Sequence, residues 1–224
     1  VGGDGEADAG AGGRSAAEIR DGGEVCSAPT RFLLHSDIAL AFIESVEARI
    51  SALKIGRGLD EGVTMGPLVN ERRVSALTEL VEDARQKGAE LWQPATPLPN
   101  TGFFFPPTLV LKPTLDMRLM QEEPFGPIAI VDEFTDLSAA VQEANRLPYG
   151  LAAYVYTSNE RTGRVLGEAL EAGMVAVNHH GIGVPEVPFG GMKDSGYGTE
   201  GGPEALRAHT ITRLVSSQHA KAPF

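Results

Sequence analysis

Apolar positions along the second half of the chain alternate between short uninterrupted runs and helical spacing. Uninterrupted apolar runs are typical of strands buried on both faces, whereas apolar residues recurring every three or four positions indicate a helix packed on one side. Strands that alternate with helices of about ten residues form βαβ units, so the pattern predicts an α/β fold with a mostly parallel open sheet and helices on both faces. The predicted strands are 108–111, 128–131, 152–156 and 174–177, and the predicted helices are 137–147 and 161–172.

The first half of the chain carries two longer helical patterns. Ser36 is the predicted N-cap of the first, and Gly88 ends the second. Short apolar runs, which predict strands, precede the first helix and follow the second. The helices are predicted over 37–53 and 70–87, and the strands over 31–34 and 91–92.

Both ends of the chain depart from this pattern. Residues 1–13 are mainly Gly, Ala, Asp and Glu with almost nothing to bury, which predicts a loosely structured end, and 15–20 is predicted to end a helix. Near the other end, a short helix is predicted over 204–209. Residues 212–216 alternate polar and apolar positions, which predicts an edge strand, and such a strand requires a partner.

Composition narrows the classes of partner and compartment. A formal net charge of −11 argues against binding to nucleic acid or to an anionic membrane surface. No apolar run approaches the ~18 residues of a membrane span, and no secretory signal is visible. A single cysteine excludes an internal disulfide framework and fits a reducing compartment, so we expect a cytoplasmic protein.

The single cysteine, Cys26, is the strongest candidate for chemistry. A lone cysteine is either a small buried hydrophobe or a nucleophile, because thiolate is the strongest nucleophile that a side chain supplies near neutral pH. Gly22 and Gly23 precede it, and an apolar run follows at 32–34. This order predicts a flexible turn that presents the thiol just before a strand.

Three short blocks resemble signature motifs of the aldehyde dehydrogenase superfamily. G-E-V-C at 23–26 resembles the family's G-Q-x-C nucleophile motif. E-E-P-F-G-P at 122–127 resembles E-E-x-F-G-P, and P-F-G-G-M-K-D-S-G at 188–196 resembles P-F-G-G-x-K-x-S-G. The blocks occur in family order, and the resemblance runs from about Ile19 onward, over the second half of a full-length member. Residues 187–206 look closest to the succinate-semialdehyde dehydrogenase-like branch.

The resemblance implies a reaction and a set of site residues. Cys26 would attack an aldehyde, the adduct would pass a hydride to NAD or NADP, and water would release the carboxylic acid from a thioester. Glu123 would hold the ribose hydroxyls of the nicotinamide half, since a carboxylate accepts from two hydroxyls at once. Phe125 would pack beside that ribose, Phe189 would lie near the substrate mouth, and Lys193 would be structural.

The chain departs from the family pattern near the cysteine and upstream of it. Glu24 replaces the family's glutamine, and a carboxylate this close to the thiol would disfavour the thiolate unless it is a solvated surface charge. Asp21 stands where asparagine is usual. The family's general-base glutamate lies upstream in an E-L-G-G motif, and that tetrapeptide does not occur here. The family's oxyanion asparagine and adenosine-binding lysine also lie upstream and are not in this chain.

These departures leave three functions open. The first is a partial aldehyde dehydrogenase chain that lacks most of the cofactor domain and works only when that part is supplied. The second is a catalytically inactive fragment that acts as an assembly or interaction module, and the third is a thiol-dependent esterase. We expect residues 1–24 to be a remnant of the lead-in, 25–197 the catalytic domain, and 198–224 a tail. By resemblance, the tail strand would make a homo-oligomer.

Two further motifs are interpreted as structural. G-Y-G-T-E-G at 196–201 matches G-x-G-x-x-G by letter, but it follows a loop and no acidic residue lies about twenty positions on. The adjacent His179 and His180 point oppositely on an extended chain and have no second ligand group at suitable spacing, so we expect no metal site.

Overall fold

The computed structural model describes residues 20–218 and shows an α/β arrangement. Within that range there are four α-helices and eight strands, and short 3₁₀ turns occupy Arg20–Gly23, Arg118–Met120 and Pro203–His209. The α-helices are α1 (Ser36–Ser51), α2 (Glu71–Gln86), α3 (Leu137–Asn145) and α4 (Glu160–Ala169). The strands are β1 (Arg31–His35), β2 (Glu90–Trp92), β3 (Thr108–Leu111), β4 (Ile128–Phe134), β5 (Tyr149–Gly150), β6 (Ala152–Val155), β7 (Met174–Val177) and β8 (Met192–Lys193).

The strands form one larger sheet and two pairs. The four-stranded sheet has the order β1-β4-β3-β2, in which β1, β4 and β3 run parallel and β2 is antiparallel to β3. Strands β6 and β7 form a separate parallel pair, and β5 pairs with β8 antiparallel. The prediction of an α/β fold with a mostly parallel sheet is therefore confirmed.

Helix starts follow the capping chemistry of the sequence. The Asn70, Asp136 and Asn159 side chains accept hydrogen bonds from backbone amides in the first turns of α2, α3 and α4. The predicted cap of α1 was wrong: Ser36 is the first helical residue, and the cap is His35, whose Nδ1 accepts from the Asp37 amide. An imidazole nitrogen here replaces the hydroxyl that the sequence suggested.

Helices cover both faces of the four-stranded sheet, because neighbouring strand residues point to opposite sides. On one face, Phe32 and Leu109 pack with α1 residues such as Phe42. On the other face, Val110 and Ile130 pack with α2. The strands are consequently buried on both sides, as their uninterrupted apolar runs predicted.

Helix α3 returns the chain to the end of the sheet at which β4 begins. Arg146, the residue after α3, donates to the carbonyl oxygen of Met120 at 2.6 Å, and Met120 precedes β4. Arg31, the first residue of β1, donates to the carbonyl oxygen of Ala144 at 3.2 Å. The segment that leads into β6 therefore lies near the end of the sheet at which β1 and β4 begin.

The tail does not form the predicted strand. Residues 210–218 are neither helical nor paired, and the apolar side chains of Ile211, Leu214 and Val215 are exposed. The edge-strand prediction for 212–216 was thus wrong for this chain by itself, since a strand needs a second strand to pair with. The helix end predicted at 15–20 lies almost wholly outside the described residues. No helix within residues 20–218 is long and apolar enough to cross a membrane.

The Glu143 side chain on α3 connects the start of β1 with the residue that follows α3, and its removal should lower the stability of the fold. The Glu143 carboxylate accepts from Arg31 at 2.8 Å and from Arg146 at 2.7 Å, and all three side chains are 14–25% exposed. We predict that Glu143→Ala lowers the free energy of unfolding by about 2–3 kcal/mol, because two largely buried guanidinium groups lose their counter-charge.

Urea denaturation measures this loss, with Glu82→Ala as the matched control. Glu82 pairs with Arg85 at the same 2.7 Å, but both side chains are about half exposed, so its removal should cost less than about 1 kcal/mol. Equal losses for the two variants would contradict the importance of the buried network.

Candidate active site

Cys26 lies at the tip of a turn immediately before β1. Asp21, Gly22 and Gly23 have consecutive positive φ angles of 54°, 66° and 74°, which turn the chain sharply. The amide of Ala28 donates to the Val25 carbonyl at 2.9 Å and closes a second turn around the cysteine. The thiol is exposed, as the preceding glycines predicted.

The cysteine loop contacts the E-E-P-F-G-P block directly. A Cβ atom added to Gly23 would lie 2.3 Å from the carbonyl oxygen of Gly126, which is closer than real Cβ atoms approach. A Cβ added to Gly126 would in turn meet Leu77 of α2 at 2.4 Å. Glycine is therefore required at position 23, because a side chain there would separate the two loops, whereas a side chain at Gly126 would displace the Leu77 side chain.

Glu24 attaches the cysteine loop to a neighbouring segment. Its carboxylate accepts a hydrogen bond from the backbone amide of Val69 at 3.0 Å. Partial burial raises the pKa of Glu24, while the Val69 amide and the positive charge of Arg73 lower it in part. The carboxylate is thus a loop anchor rather than a freely solvated charge, which the sequence did not predict.

Glu123 shares one cavity with Cys26. The cavity has a volume of about 460 Å³, and both residues line it. Glu123 makes no hydrogen bond or ion pair with any residue in the described part of the chain, whereas its neighbour Glu122 is held by Arg118 through bonds of 2.7 and 3.0 Å. Desolvation raises the pKa of Glu123, and Arg73 partly lowers it, although the residue as a whole is exposed. The available acceptor of this block is therefore Glu123.

The two predicted aromatic residues lie outside the lining of this cavity. Phe125 is half-buried and has a φ of 48°, a conformation that costs about 1–2 kcal/mol outside glycine. Phe189 packs against the cluster of Met174, Ala176 and Ile182, and its backbone bonds to Glu200 in both directions. The structure brings Cys26 and Glu123 together, but it does not bring Phe125 or Phe189 to the cavity wall.

Tyr154 is a cavity residue that sequence reasoning missed, and His180, which was interpreted as structural, also lines the cavity. The Tyr154 hydroxyl donates to the carbonyl oxygen of Ser27, next to the cysteine, at 2.7 Å. The His180 ring lies 4.7 Å from the Tyr154 ring and 5.5 Å from the Tyr156 ring. Burial raises the pKa of Tyr154 to about 12, so the phenol stays neutral and remains a donor. Tyr154 and Tyr156 are two residues apart in the strand predicted at 152–156, which puts them on one face, but this spacing could not show that the face meets the cysteine.

The P-F-G-G-M-K-D-S-G block at 188–196 contacts the residues that lead into β6. Lys193 donates from Nζ to the carbonyl oxygen of Asn145 at 3.0 Å and pairs with Glu171 at 2.5 Å. The Gly150 amide donates to the Ser195 hydroxyl at 2.9 Å. These contacts agree with a structural interpretation of Lys193.

The described residues contain no cluster of three or more His, Cys, Asp or Glu side chains that could hold a metal ion. His179 is part of a local turn, since its Nδ1 accepts from the Gly181 amide at 3.0 Å. What the cavity offers is an exposed thiol, an available carboxylate and a neutral phenol. Such a set suits nucleophilic attack on a small carbonyl compound.

Comparison with known proteins shows which family the chain belongs to. The profile of the aldehyde dehydrogenase family matches residues 4–215. The chain belongs to the aldehyde dehydrogenase family.

Curated and solved relatives agree with this assignment. 4-(Hydroxymethyl)benzenesulfonate dehydrogenase of Comamonas testosteroni is 40% identical over 198 residues, which cover 88% of this aldehyde dehydrogenase chain and 41% of that protein. Succinate-semialdehyde dehydrogenase [NADP(+)] 1 of Schizosaccharomyces pombe is 39% identical over 188 residues, or 83% and 38% of the two chains. The crystal structure of succinate-semialdehyde dehydrogenase from Burkholderia pseudomallei matches with a TM-score of 0.87 and 37% identity, covering 91% of this chain and 42% of that chain. The chain therefore spans about two-fifths of the length of these relatives.

The contact between Gly23 and Gly126 should be intolerant of a methyl group. We predict that Gly23→Ala lowers the free energy of unfolding by about 2–4 kcal/mol, from the positive φ and the clash with a carbonyl oxygen together. Gly58→Ala is the control, because a Cβ at Gly58 meets no atom within 4 Å. Thermal or urea unfolding should show a change of less than about 0.5 kcal/mol for the control. A mild effect of Gly23→Ala would mean that the two loops are not held in contact.

The Tyr154 phenol should make stability fall at high pH. Because its folded-state pKa is raised from 10.0 to about 12, its contribution is complete below about pH 10 and is lost as the pH rises toward 12. Urea midpoints measured from about pH 9 to 11 should fall more steeply for the unmodified protein than for Tyr154→Phe. Parallel curves would show that the phenol is not desolvated.

Proposed function

We propose that this aldehyde dehydrogenase chain carries the nucleophile and the nicotinamide-ribose contact of an enzyme that oxidises an aldehyde to a carboxylic acid with NAD or NADP. The observation that supports the proposal most directly is that an exposed Cys26 and an available Glu123 line the same cavity. Their loops are also in direct contact through Gly23 and Gly126. The substrate is proposed as a small aldehyde, since several relatives are named for semialdehydes.

The proposed chemistry begins at the Cys26 sulfur. The thiolate adds to the aldehyde carbonyl carbon, a C–S bond forms, and the former carbonyl oxygen takes a proton as the hemithioacetal. Bound NAD(P) supplies a hydride acceptor. Loss of hydride from the carbon and of the proton from the oxygen leaves a thioester on Cys26. Water then cleaves the C–S bond, releasing the acid and restoring the thiol.

The residues present fit the nicotinamide half of such a cofactor. A ribose offers two neighbouring hydroxyl donors. Arg118 pairs with Glu122 and not with Glu123, so both oxygens of the Glu123 carboxylate are available to accept them. Partial desolvation of Glu123 makes a hydrogen bond to its charged form stronger than one in water. The Tyr154 hydroxyl, held by the Ser27 carbonyl, restricts the backbone beside the nucleophile.

The second candidate is a catalytically inactive module for assembly. It is favoured by the exposed apolar residues of the tail, such as Ile211, Leu214 and Val215. Homo-oligomer formation through 212–216 belongs to this candidate. A thiol-dependent esterase is the third, since it requires only the exposed Cys26 thiol.

A complementation assay tests the first candidate. The chain is mixed with the remaining upstream portion of the Comamonas testosteroni relative, NAD or NADP, and an aldehyde, and formation of reduced cofactor is followed by absorbance. We expect turnover that Cys26→Ser abolishes. Glu123→Gln should raise the KM for NAD(P) by about tenfold, through loss of a charged acceptor, with Glu122→Gln as the matched control.

The controls separate the three functions. No reduced cofactor in any mixture, together with a defined oligomer on size-exclusion chromatography, would favour the assembly module. A burst of nitrophenol from an activated ester without NAD(P), lost in Cys26→Ser, would favour the esterase. Equal KM effects of Glu122→Gln and Glu123→Gln would contradict the ribose contact.

A further inference from the structure

Arg73 is a half-buried arginine whose side chain has no partner within residues 20–218. It lies in the first turn of α2, and its Nε atom is buried without a hydrogen-bond acceptor. By contrast, Arg31 and Arg146, which are also half-buried, are both paired with Glu143. Buried polar groups in folded proteins are nearly all hydrogen-bonded, so Arg73 indicates a site for an acceptor that the described residues do not supply.

Arg73 shares one face of α2 with Leu77, because residues four apart lie one above the other on a helix. The same face packs against the E-E-P-F-G-P block at 122–127, since a Cβ atom added to Gly126 would lie 2.4 Å from the Leu77 side chain. Side chains on a helix lean towards its N-terminus. The Arg73 guanidinium therefore extends beyond this contact, towards the start of α2.

The cysteine loop lies at the same end of α2. The Val69 amide, two residues before the helix, donates to the Glu24 carboxylate at 3.0 Å. Burial raises the pKa of both Glu24 and Glu123, and the positive charge of Arg73 lowers it in both. The guanidinium is thus near the two carboxylates, yet it forms an ion pair with neither of them.

An anion with several oxygen acceptors would satisfy the Arg73 side chain. A planar guanidinium binds phosphate through two parallel hydrogen bonds, which a lysine ammonium cannot do. The start of α2 adds the partial positive charge of a helix N-terminus, since α2 is 16 residues long and Arg73 is in its first turn. A phosphate group is therefore the ligand that this position favours.

Glu123 determines which phosphate would reach Arg73. In the proposed function, the Glu123 carboxylate accepts the two hydroxyls of the nicotinamide ribose, and that sugar carries a 5′-phosphate in both NAD and NADP. A single sugar ring separates the phosphate from the hydroxyls. Because Arg73 and Glu123 are near each other but not paired, each charge is available to one end of the same nucleotide.

We propose that Arg73 binds the 5′-phosphate of the nicotinamide ribose while Glu123 accepts the hydroxyls of that ribose. The inference rests on the proposed function, because it takes the ribose contact of Glu123 as given. Opposite charges at the two ends set the direction of the nucleotide, since Glu123 repels a phosphate and Arg73 attracts it. Arg73 is a binding residue here and takes no part in the transfer of hydride.

Binding of two small ligands to the intact chain tests the phosphate contact without turnover. Nicotinamide mononucleotide carries both the ribose and the phosphate, whereas nicotinamide riboside carries only the ribose. Isothermal titration calorimetry should show that the mononucleotide binds at least roughly tenfold more tightly, because a charge-assisted hydrogen bond is added. Arg73→Gln should remove this difference and leave the affinity for the riboside unchanged.

Arg72→Gln is the matched control, because it removes the same charge from an exposed position in the same turn of α2. It should change the affinity for the mononucleotide by less than about twofold. Arg73→Lys keeps the charge but loses the fork of donors, so its affinity should lie between those of the unmodified chain and Arg73→Gln. If circular dichroism shows that Arg73→Gln does not fold, the loss measured in Arg73→Lys decides the question.

Glu123→Gln separates this inference from the proposed function. It should weaken the binding of both ligands by the same factor, since both carry the ribose hydroxyls. Riboside binding that depends on Glu123, with no added affinity for the mononucleotide, would overturn the role of Arg73 and leave the proposed function standing. If neither ligand binds, both the inference and the ribose contact fail.

Two further outcomes would overturn the phosphate contact. Equal losses of affinity for the mononucleotide and the riboside in Arg73→Gln would mean that Arg73 only shapes the site. Inorganic phosphate that binds as tightly as the mononucleotide would indicate a general anion site that does not recognise the attached sugar.

Discussion

The parallel pairing of β1 with β4 is the constraint on which the candidate site depends. Cys26 and Glu123 each lie five residues before the strand that follows them, and the two strands pair with nearly level starts, Arg31 opposite Ile130. Parallel strands begin at the same end of a sheet, so the two loops that precede them must emerge side by side. The glycine contact between Gly23 and Gly126 then closes the remaining distance.

The acidic side chains near the thiol differ in whether they are paired with another group. Glu24 is fixed by the Val69 amide, Glu122 by Arg118, and Glu171 by Lys193, so three carboxylates near the cavity are already engaged. Arg73, in the first turn of α2, lowers the pKa of both Glu24 and Glu123 against the opposing effect of burial. This division leaves Glu123 as the carboxylate available to a ligand. Composition could not predict which carboxylates are paired and which is available, because the net charge of −11 is only a sum over all charged residues.

Sequence patterns located the regular elements well and the tail poorly. The strands at 108–111 and 174–177 were found at their observed bounds, and the helices within a few residues, because burial on one or two faces leaves a periodic trace. The tail strand at 212–216 had the right alternation, yet pairing requires a second strand that the described residues do not provide. For the same reason, the open edge of β1 left no sign in its own sequence, which is that of an inner strand.

What the sequence determined by itself was the alternation of strands and helices, the position of the only thiol after a glycine turn, and the three blocks that place the chain in the aldehyde dehydrogenase family. Tertiary structure alone decided that Cys26 and Glu123 share a cavity while Phe125 and Phe189 lie outside its lining, and that Tyr154 bonds beside the thiol. The physical reason is that periodicity reports which face of an element is buried. It carries no information about which distant element covers that face, since this depends on strand order and register.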